Sequence, residues 1–273
     1  MLVLTKQNII DLYVWVDDTL TEENKSFGGR PSFLSNSELI TILIWNTLNI
    51  KQRNLKDIYQ WIKLDYQSEF PQLPNYQNFV KHCHKTLPLM IGVLNGLLQS
   101  TSAVRIMDST MLEVCKLVRA DSHIIAKNIA DFGKNHQGWH YGFKLHASVN
   151  LSGQLAGLAF TPASHHDAQQ MPKILNEYAK IAVGDGGYTA SVMKRYIWET
   201  YGTLIISPPH FKQNKKLLTP WQYTLLRIRP KIESVFDYLK EHLNLVSSFP
   251  RSVAGYLLHY IRILLGYQIM AIS

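Results

Sequence analysis

The stretch Ile181-Ala182-Val183-Gly184-Asp185-Gly186-Gly187-Tyr188 decides how the rest of the chain is read. Its apolar residues carry the backbone out of a core as a strand, and the glycines permit an exit that side chains would block. Asp185 then stands at the carboxyl end of a strand, where open α/β sheets hold their ligands. A second run of the same design, Ala103-Val104-Arg105-Ile106-Met107-Asp108, predicts another strand ending in an aspartate. Were the two strands parallel neighbours, both carboxylates would reach one edge of a sheet.

Outward from these runs, Trp139 to Asn150 alternates as a strand, with Tyr141, Phe143 and Leu145 on one side. Ser152-Gly153 supplies a turn and Gln154 to Thr161 the partner of an antiparallel hairpin. Asp167 to Tyr178 and Ala190 to Tyr201 read as helices. Thr203 to Ser207 reads as a short strand stopped by Pro208-Pro209, and the chain from Trp221 onward as helices. Residues 109–138 carry a mixed pattern that selects no single element. The first hundred residues are helical throughout. Ile9, Ile10, Tyr13, Val14 and Val16 form a stripe, and a polar loop includes Lys25 to Gly29. Ser35-Asn36-Ser37-Glu38 is a capping box before the apolar run Leu39 to Ile50. A further helix covers Leu55 to Leu64, and a turn bounded by Pro71 and Pro74 follows.

This succession predicts an α/β chain of mixed α+β character. A central mixed sheet flanked by helices occupies residues 101–273, and an all-helical region, 1–100, precedes it. Short helices joined by tight turns suit a DNA-binding helix-turn-helix and a plain helical bundle equally well.

Of the 273 residues, 46% are hydrophobic and 18% charged, an ordinary globular balance that excludes wholesale disorder. The formal charge of +8 favours a polyanionic partner, because Lys and Arg gain affinity by releasing counterions from phosphates. Two cysteines, Cys83 and Cys115, exclude a disulfide framework and suit a reducing cytoplasm. The start has no charged segment followed by an apolar one, so no secretory signal is expected. Tyr256 to Ile272 is the longest apolar stretch, but His259, Arg262 and Gln268 interrupt it, which predicts a buried helix and no membrane span. No Gly-x-x-x-x-Gly-Lys loop points to nucleotide hydrolysis.

A third acid completes a chemical pattern. Pro230 is suited to the first position of a helix, which puts Glu233 in the first turn, where the helix dipole favours a negative charge. Cutting a phosphodiester without a covalent enzyme intermediate needs an aligned nucleophile and charge compensation on the leaving oxygen. Two hard cations about 3.5–4 Å apart supply both, and Asp and Glu oxygens are their natural ligands. Taken singly, each acid reads as a turn cap or a dipole partner; Asp108, Asp185 and Glu233 together read as a metal-binding triad. Asp237, one turn beyond Glu233, is an alternative or auxiliary acid, or the partner of a nearby base. Lys212, Lys215 and Lys216 form a basic loop that suits contact with the DNA backbone or simple solvation. His165-His166-Asp167 reads as a loop, with Asp167 capping the helix after it. His82-Cys83-His84 with Cys115 matches no zinc spacing and reads as helix surface plus a buried thiol.

The stretches around Asp108-Ser109, Gly138-Trp139-His140-Tyr141-Gly142-Phe143-Lys144-Leu145-His146 and Gly184-Asp185-Gly186-Gly187-Tyr188 resemble bacterial insertion-sequence transposases of the DDE type. More narrowly, they are similar to the insertion-sequence 982 family. The resemblance spans most of the chain, most clearly residues 103–245. It implies an RNase H-like catalytic core with Asp108, Asp185 and Glu233 as its acids. It also implies two Mg²⁺ ions, Mn²⁺ being a substitute, that serve cleavage at the element's ends and joining of the 3′-hydroxyl to target DNA. Related transposases carry a Y-x2-R-x3-E-x6-K signature. Arg229, Glu233 and Lys240 fit it, with Leu226 in the tyrosine's place. Arg229 and Lys240 are thereby implied to contact transposon-end phosphates. Double-stranded DNA, both element ends and target, is the implied partner, and a homodimer the implied synaptic assembly. A nuclease of the same fold that does not join strands, and a DNA-binding relic without activity, are the alternatives. On residues alone, the seven-residue step from Glu233 to Lys240 puts both on one helical face. Arg229, before a proline, is biased toward an extended backbone.

Overall fold

The structure, a computed structural model, describes residues 8–20, 34–135, 138–209, 217–247 and 249–272. Its contacts fall into two compact units, Met1–Leu97 with Leu239–Ser273, and Leu98–Tyr238.

The first unit is helical. Helix α1 (Ile9–Thr19) starts on Asn8, whose side chain accepts from the Ile10 amide. Helix α2 (Asn36–Trp45) has the full capping box. Ser35 Oγ accepts from the Glu38 amide at 3.1 Å, and Glu38 Oε2 accepts from the Ser35 amide at 2.6 Å. Beyond the cap α2 is apolar on every side, so it is buried all round, from Leu39 to Ile44. It runs into a π-helical turn, Asn46–Ile50, that ends at Lys51 in the left-handed region (φ 63°). Helices α3 (Leu55–Asp65) and α4 (Tyr76–Lys85) are capped by Asn54 and Asn75, and α5 (Leu87–Leu97) follows.

The C-terminal helix Val253–Ile272 belongs to this unit, packed against α2, α4 and α5. A boundary at residue 100 alone would assign it to the sheet unit. The long apolar segment has few neighbours of its own kind in sequence and finds them in the equally apolar α2 and α5. The three polar residues that interrupt it are satisfied internally. Arg262 donates to Thr47 Oγ1 (3.1 Å) and to the carbonyls of Gln52 (3.1 Å) and Arg53 (3.3 Å). His259 Nε2 lies 3.0 Å from the Asn244 carbonyl, and Gln268 donates to the Leu97 carbonyl at 3.1 Å. Among the described residues no helix is long and apolar enough to cross a membrane.

The second unit is built on a six-stranded sheet. Its strands are β1 (Val104–Glu113), β2 (Asp131–Asn135), β3 (Gly138–Val149), β4 (Leu155–Pro162), β5 (Ile181–Val183) and β6 (Leu204–Ile206). The order is β2-β3-β1-β5-β6, with β4 also paired to β3. Strand β3 is antiparallel to β1, β2 and β4, whereas β5 is parallel to both β1 and β6. Helices α6 (Ser191–Tyr201), α7 (Pro220–Leu226) and α8 (Pro230–Asp237) complete the unit, α8 packing on β1. Met107, Ala182 and Ile205 from the sheet share a core with Met171, Ile174, Tyr188 and Ile197.

Two elements depart from expectation. Strand β1 does not stop at Asp108 but continues to Glu113, because β3 goes on pairing with it as far as Glu113↔Gly142 after β5 has ended. Residues 167–178 form no helix of that length. A 3₁₀ turn, Asp167–Gln170, and a single α turn, Met171–Ile174, give way to extended backbone at Leu175. The close fit on the sheet accounts for the break. Ser148 Oγ donates to the Ile174 carbonyl, and a side-chain carbon at Gly157 would lie 2.2 Å from the same oxygen. Pro172 adds to it by removing a backbone donor.

Candidate active site

Adjacent parallel strands set the geometry. The last β1–β5 pair is Ile106↔Val183, so Asp108 and Asp185 each follow it by two residues and leave neighbouring chains at the same level. The Ser109 amide donates to Asp108 Oδ1 at 2.8 Å, and the Gly187 amide donates to Asp185 Oδ1 at 2.8 Å. Asp185 thereby caps the 3₁₀ turn Gly186–Tyr188.

A third carboxylate stands close by, and sequence reasoning missed it. Asp167 does not cap its turn, since His166 is the capping residue and makes no side-chain cap bond. Asp167 Oδ1 instead accepts from Lys144 Nζ at 3.2 Å, and Lys144 also donates to the His165 carbonyl at 2.9 Å. His146 Nδ1 is 3.4 Å from the same oxygen but is not aligned as a hydrogen bond. Burial, more than any neighbour, holds that imidazole down at about 4, so it is neutral near pH 7. The signal lay in the alternation of β3: Lys144 shares a strand face with the buried His146, and a lysine on a buried face calls for an acid opposite it.

Gly187 joins Asp167 to Asp185. A side-chain carbon there would lie 3.0 Å from Asp167 Oδ2 and 3.0 Å from Asp185 Oδ1. At Gly184 it would meet the Tyr188 ring at 2.6 Å, whereas at Gly186 it would meet open space. Gly187→Ala is therefore expected to push the carboxylates apart by a few tenths of an ångström and slow whatever reaction they carry about tenfold. Gly186→Ala is expected to react like the wild type; paired rate measurements on the two variants check this.

The crowding has electrostatic consequences. Burial, reinforced by the charges of Asp185 and Asp167, pushes the Asp108 carboxyl up to about 7, against the pull of the Ser109 amide and Arg229. Burial also raises Asp185, with Asp167 adding to it and the Gly187 amide, Arg229 and Lys144 opposing. The Tyr188 hydroxyl is fully buried, faces the field of all three aspartates and has no hydrogen-bond partner among the described residues.

Glu233 lies in the first turn of α8, as its sequence position implied. Its Oε1 accepts from Arg229, and that bond is the main reason the guanidinium is held above its ordinary range. Arg229 is not extended. Its backbone is αR (φ −54°, ψ −39°), because a hydrogen-bonded turn from Leu226 (3.2 Å) feeds directly into α8 and overrides the bias from Pro230. Arg229 is thus bonded to Glu233 while its charge also favours the ionised forms of Asp108 and Asp185. Asp237 is exposed and pairs with no base among the described residues. Helix α8 ends there, and Tyr238–His242 form a π turn. The seven-residue step from Glu233 to Lys240 therefore leaves the α-helix for a π turn and is not two regular α turns. Lys212, Lys215 and Lys216 lie outside the described residues. His82, Cys83 and His84 lie on α4, with Cys83 buried, and Cys115 belongs to the other unit.

Among the described residues no three His, Cys, Asp or Glu side chains converge tightly enough to hold a metal ion as they stand. The donor set nonetheless suits a hard divalent cation. The charges of Asp185 and Asp167 make Asp108 costlier to ionise, that of Asp167 does the same to Asp185, and the orphaned Tyr188 hydroxyl is buried within the field of all three.

A family model described as the transposase DDE domain matches residues 98–253, more than half of the chain. The chain belongs to that family, and its second unit, a mixed sheet with flanking helices behind a helical N-terminal region, is an RNase H-like DDE domain. No solved structure matches the chain.

Proposed function

We propose that this protein is an insertion-sequence transposase of the 982 type. In this reading it cleaves DNA at its element's ends and joins the freed 3′-hydroxyl to target DNA. The observation that carries the reading is the level placement of Asp108 and Asp185 on adjacent parallel strands, with the helix of Glu233 packed on the first of them. Those three acids would hold two Mg²⁺ ions, or Mn²⁺ in their place, and such cations would supply an aligned nucleophile and charge compensation on the leaving oxygen.

The chain's own groups prepare that site. The Ser109 and Gly187 amides each fix one carboxylate oxygen, Oδ1, and Oδ2 of each aspartate would be the oxygen offered to a cation. Arg229 restrains Glu233 and, on releasing it, is free to hold a phosphate. Lys144 anchors Asp167, so that its charge bears on Asp185 from a fixed position. Lys240, Lys212, Lys215 and Lys216 supply further phosphate contacts, and residues 1–100 bind the element's terminal repeats. A homodimer brings two ends together, acting at the nucleoid in the cytoplasm.

The test is a strand-transfer assay with Mg²⁺, end-labelled element DNA and a supercoiled target. Labelled DNA covalently joined to the target is the expected product. Cut DNA with no joined product would make the protein a nuclease, and bound but uncut DNA an inactive relic.

A further inference from the structure

The helical unit contains a cavity of about 560 Å³ that the catalytic chemistry does not use. Its volume is that of a small-ligand site. Four cationic side chains line it, Arg53, Lys56, Arg251 and Arg262, against one acid, Asp57. Asp57 is already engaged, since its carboxylate accepts from Asn54 Nδ2 at 2.7 Å in the cap of α3. Arg262 is only 3% exposed, and its hydrogen bonds run to a hydroxyl, two carbonyls and His259, with no carboxylate among the described residues. A buried guanidinium with no anion beside it leaves positive potential in the recess. His259 registers that potential: burial first, then the charges of Arg262 and Arg53, hold its imidazole down at about 3.

Other features of the lining agree. His84 Nδ1 is buried there without a partner among the described residues. Asn54 and Ser252 bring the amino ends of α3 (11 residues) and the C-terminal helix (20 residues) to the same cavity, and both present positive dipole ends. Tyr76 and Phe249 add exposed aromatic rings. A duplex backbone lies along a surface, so a recess of this size with cations, helix ends and aromatic faces suits one nucleotide drawn out of pairing.

We propose that this cavity binds an unpaired nucleotide of a DNA strand, its phosphate among Arg53, Lys56 and Arg251 and its base against Phe249. The proposal rests on the reading that the helical unit holds DNA, and the experiment separates the two. Full-length wild type, Lys56→Ala/Arg251→Ala and Phe249→Ala are titrated by fluorescence anisotropy against a single-stranded 12-mer and a blunt 12-base-pair duplex. All three substituted side chains are exposed, so the fold is expected to survive; Lys63→Ala, elsewhere on α3, is the control. The double variant is expected to bind the single strand at least tenfold more weakly. Its salt slope should fall by about 1.4, from ~0.7 per phosphate neutralised. Phe249→Ala should weaken binding with the slope unchanged, and Lys63→Ala should change neither.

If wild type binds duplex while both cavity variants bind the single strand as wild type does, the inference fails and the DNA-binding reading stands. Wild type that binds neither DNA overturns both. In a parallel arm, deoxythymidine monophosphate and inorganic phosphate are added as competitors. Displacement of the 12-mer by either at its own Kd would make this a free-phosphate site and overturn the strand proposal.

Discussion

Asp185→Asn is expected to abolish both cleavage and joining of element DNA while leaving the fold intact. The substitution keeps the shape and the oxygen that accepts from the Gly187 amide, but removes the charge on which the site depends. Loss of one group that stabilises developing charge costs about 10²–10³-fold in rate. Loss of a carboxylate that would hold both cations should cost at least that. Asp108→Asn should behave the same way, because Asp108 and Asp185 each follow the last β1–β5 pair by two residues. Glu233→Gln should be milder in binding than in rate, since Glu233 also restrains Arg229. Gel assays of cleavage and joining, beside a thermal unfolding scan, measure both halves. Full activity in Asp185→Asn would contradict the assignment outright.

The second large effect concerns stability. The Asp108 carboxyl is pushed up to about 7 from an ordinary 3.8, so between those values the folded chain keeps a proton that the unfolded chain releases. Stability then falls as pH rises through that window, by up to about 1.4 kcal/mol per unit and about 4 kcal/mol in all. Below the window the penalty is absent, and above it the penalty is complete. His259 acts in the opposite direction. Held down at about 3, it resists a proton that the unfolded chain binds, so its part of the stability rises with pH up to the ordinary histidine range. Urea unfolding of wild type and Asp108→Asn, metal-free, from pH 4 to 8 separates the two effects. The variant should gain on the wild type steadily as pH rises, and parallel curves would refute the crowding argument.

Asp185 could be read from sequence as the residue that leaves its strand, whereas Asp108 lies at the edge of its apolar run but not at the end of its strand. Three apolar residues and a glycine exit fix Asp185, and the strand register then places Asp108 opposite it. Glu233 was legible from Pro230, whose preference for the first helical turn is local. What could not be read was non-local. Strand β1 outruns Asp108 because β3, thirty-odd residues on, keeps pairing with it. Asp167 looked like a cap, and only the folding of β3 beside it reveals Lys144 as its partner. The bias of Pro230 on Arg229 gave way to a turn and an ion pair, both set by the surrounding structure. The C-terminal helix was correctly read as buried, but an apolar pattern does not say against what. Its partners, α2 and α5, lie more than 150 residues away.

The central claim is that Asp108 and Asp185 together hold the divalent cations that the reaction needs. Titration of Mn²⁺ into metal-free protein, followed by electron paramagnetic resonance and without DNA, tests it most directly. The account predicts saturable binding in the wild type and at least a tenfold loss of affinity in Asp108→Asn and in Asp185→Asn alike. Asp237→Asn, altered only at an exposed acid, should bind as the wild type does. Equal Mn²⁺ affinity in the wild type and both strand-aspartate variants would contradict the account.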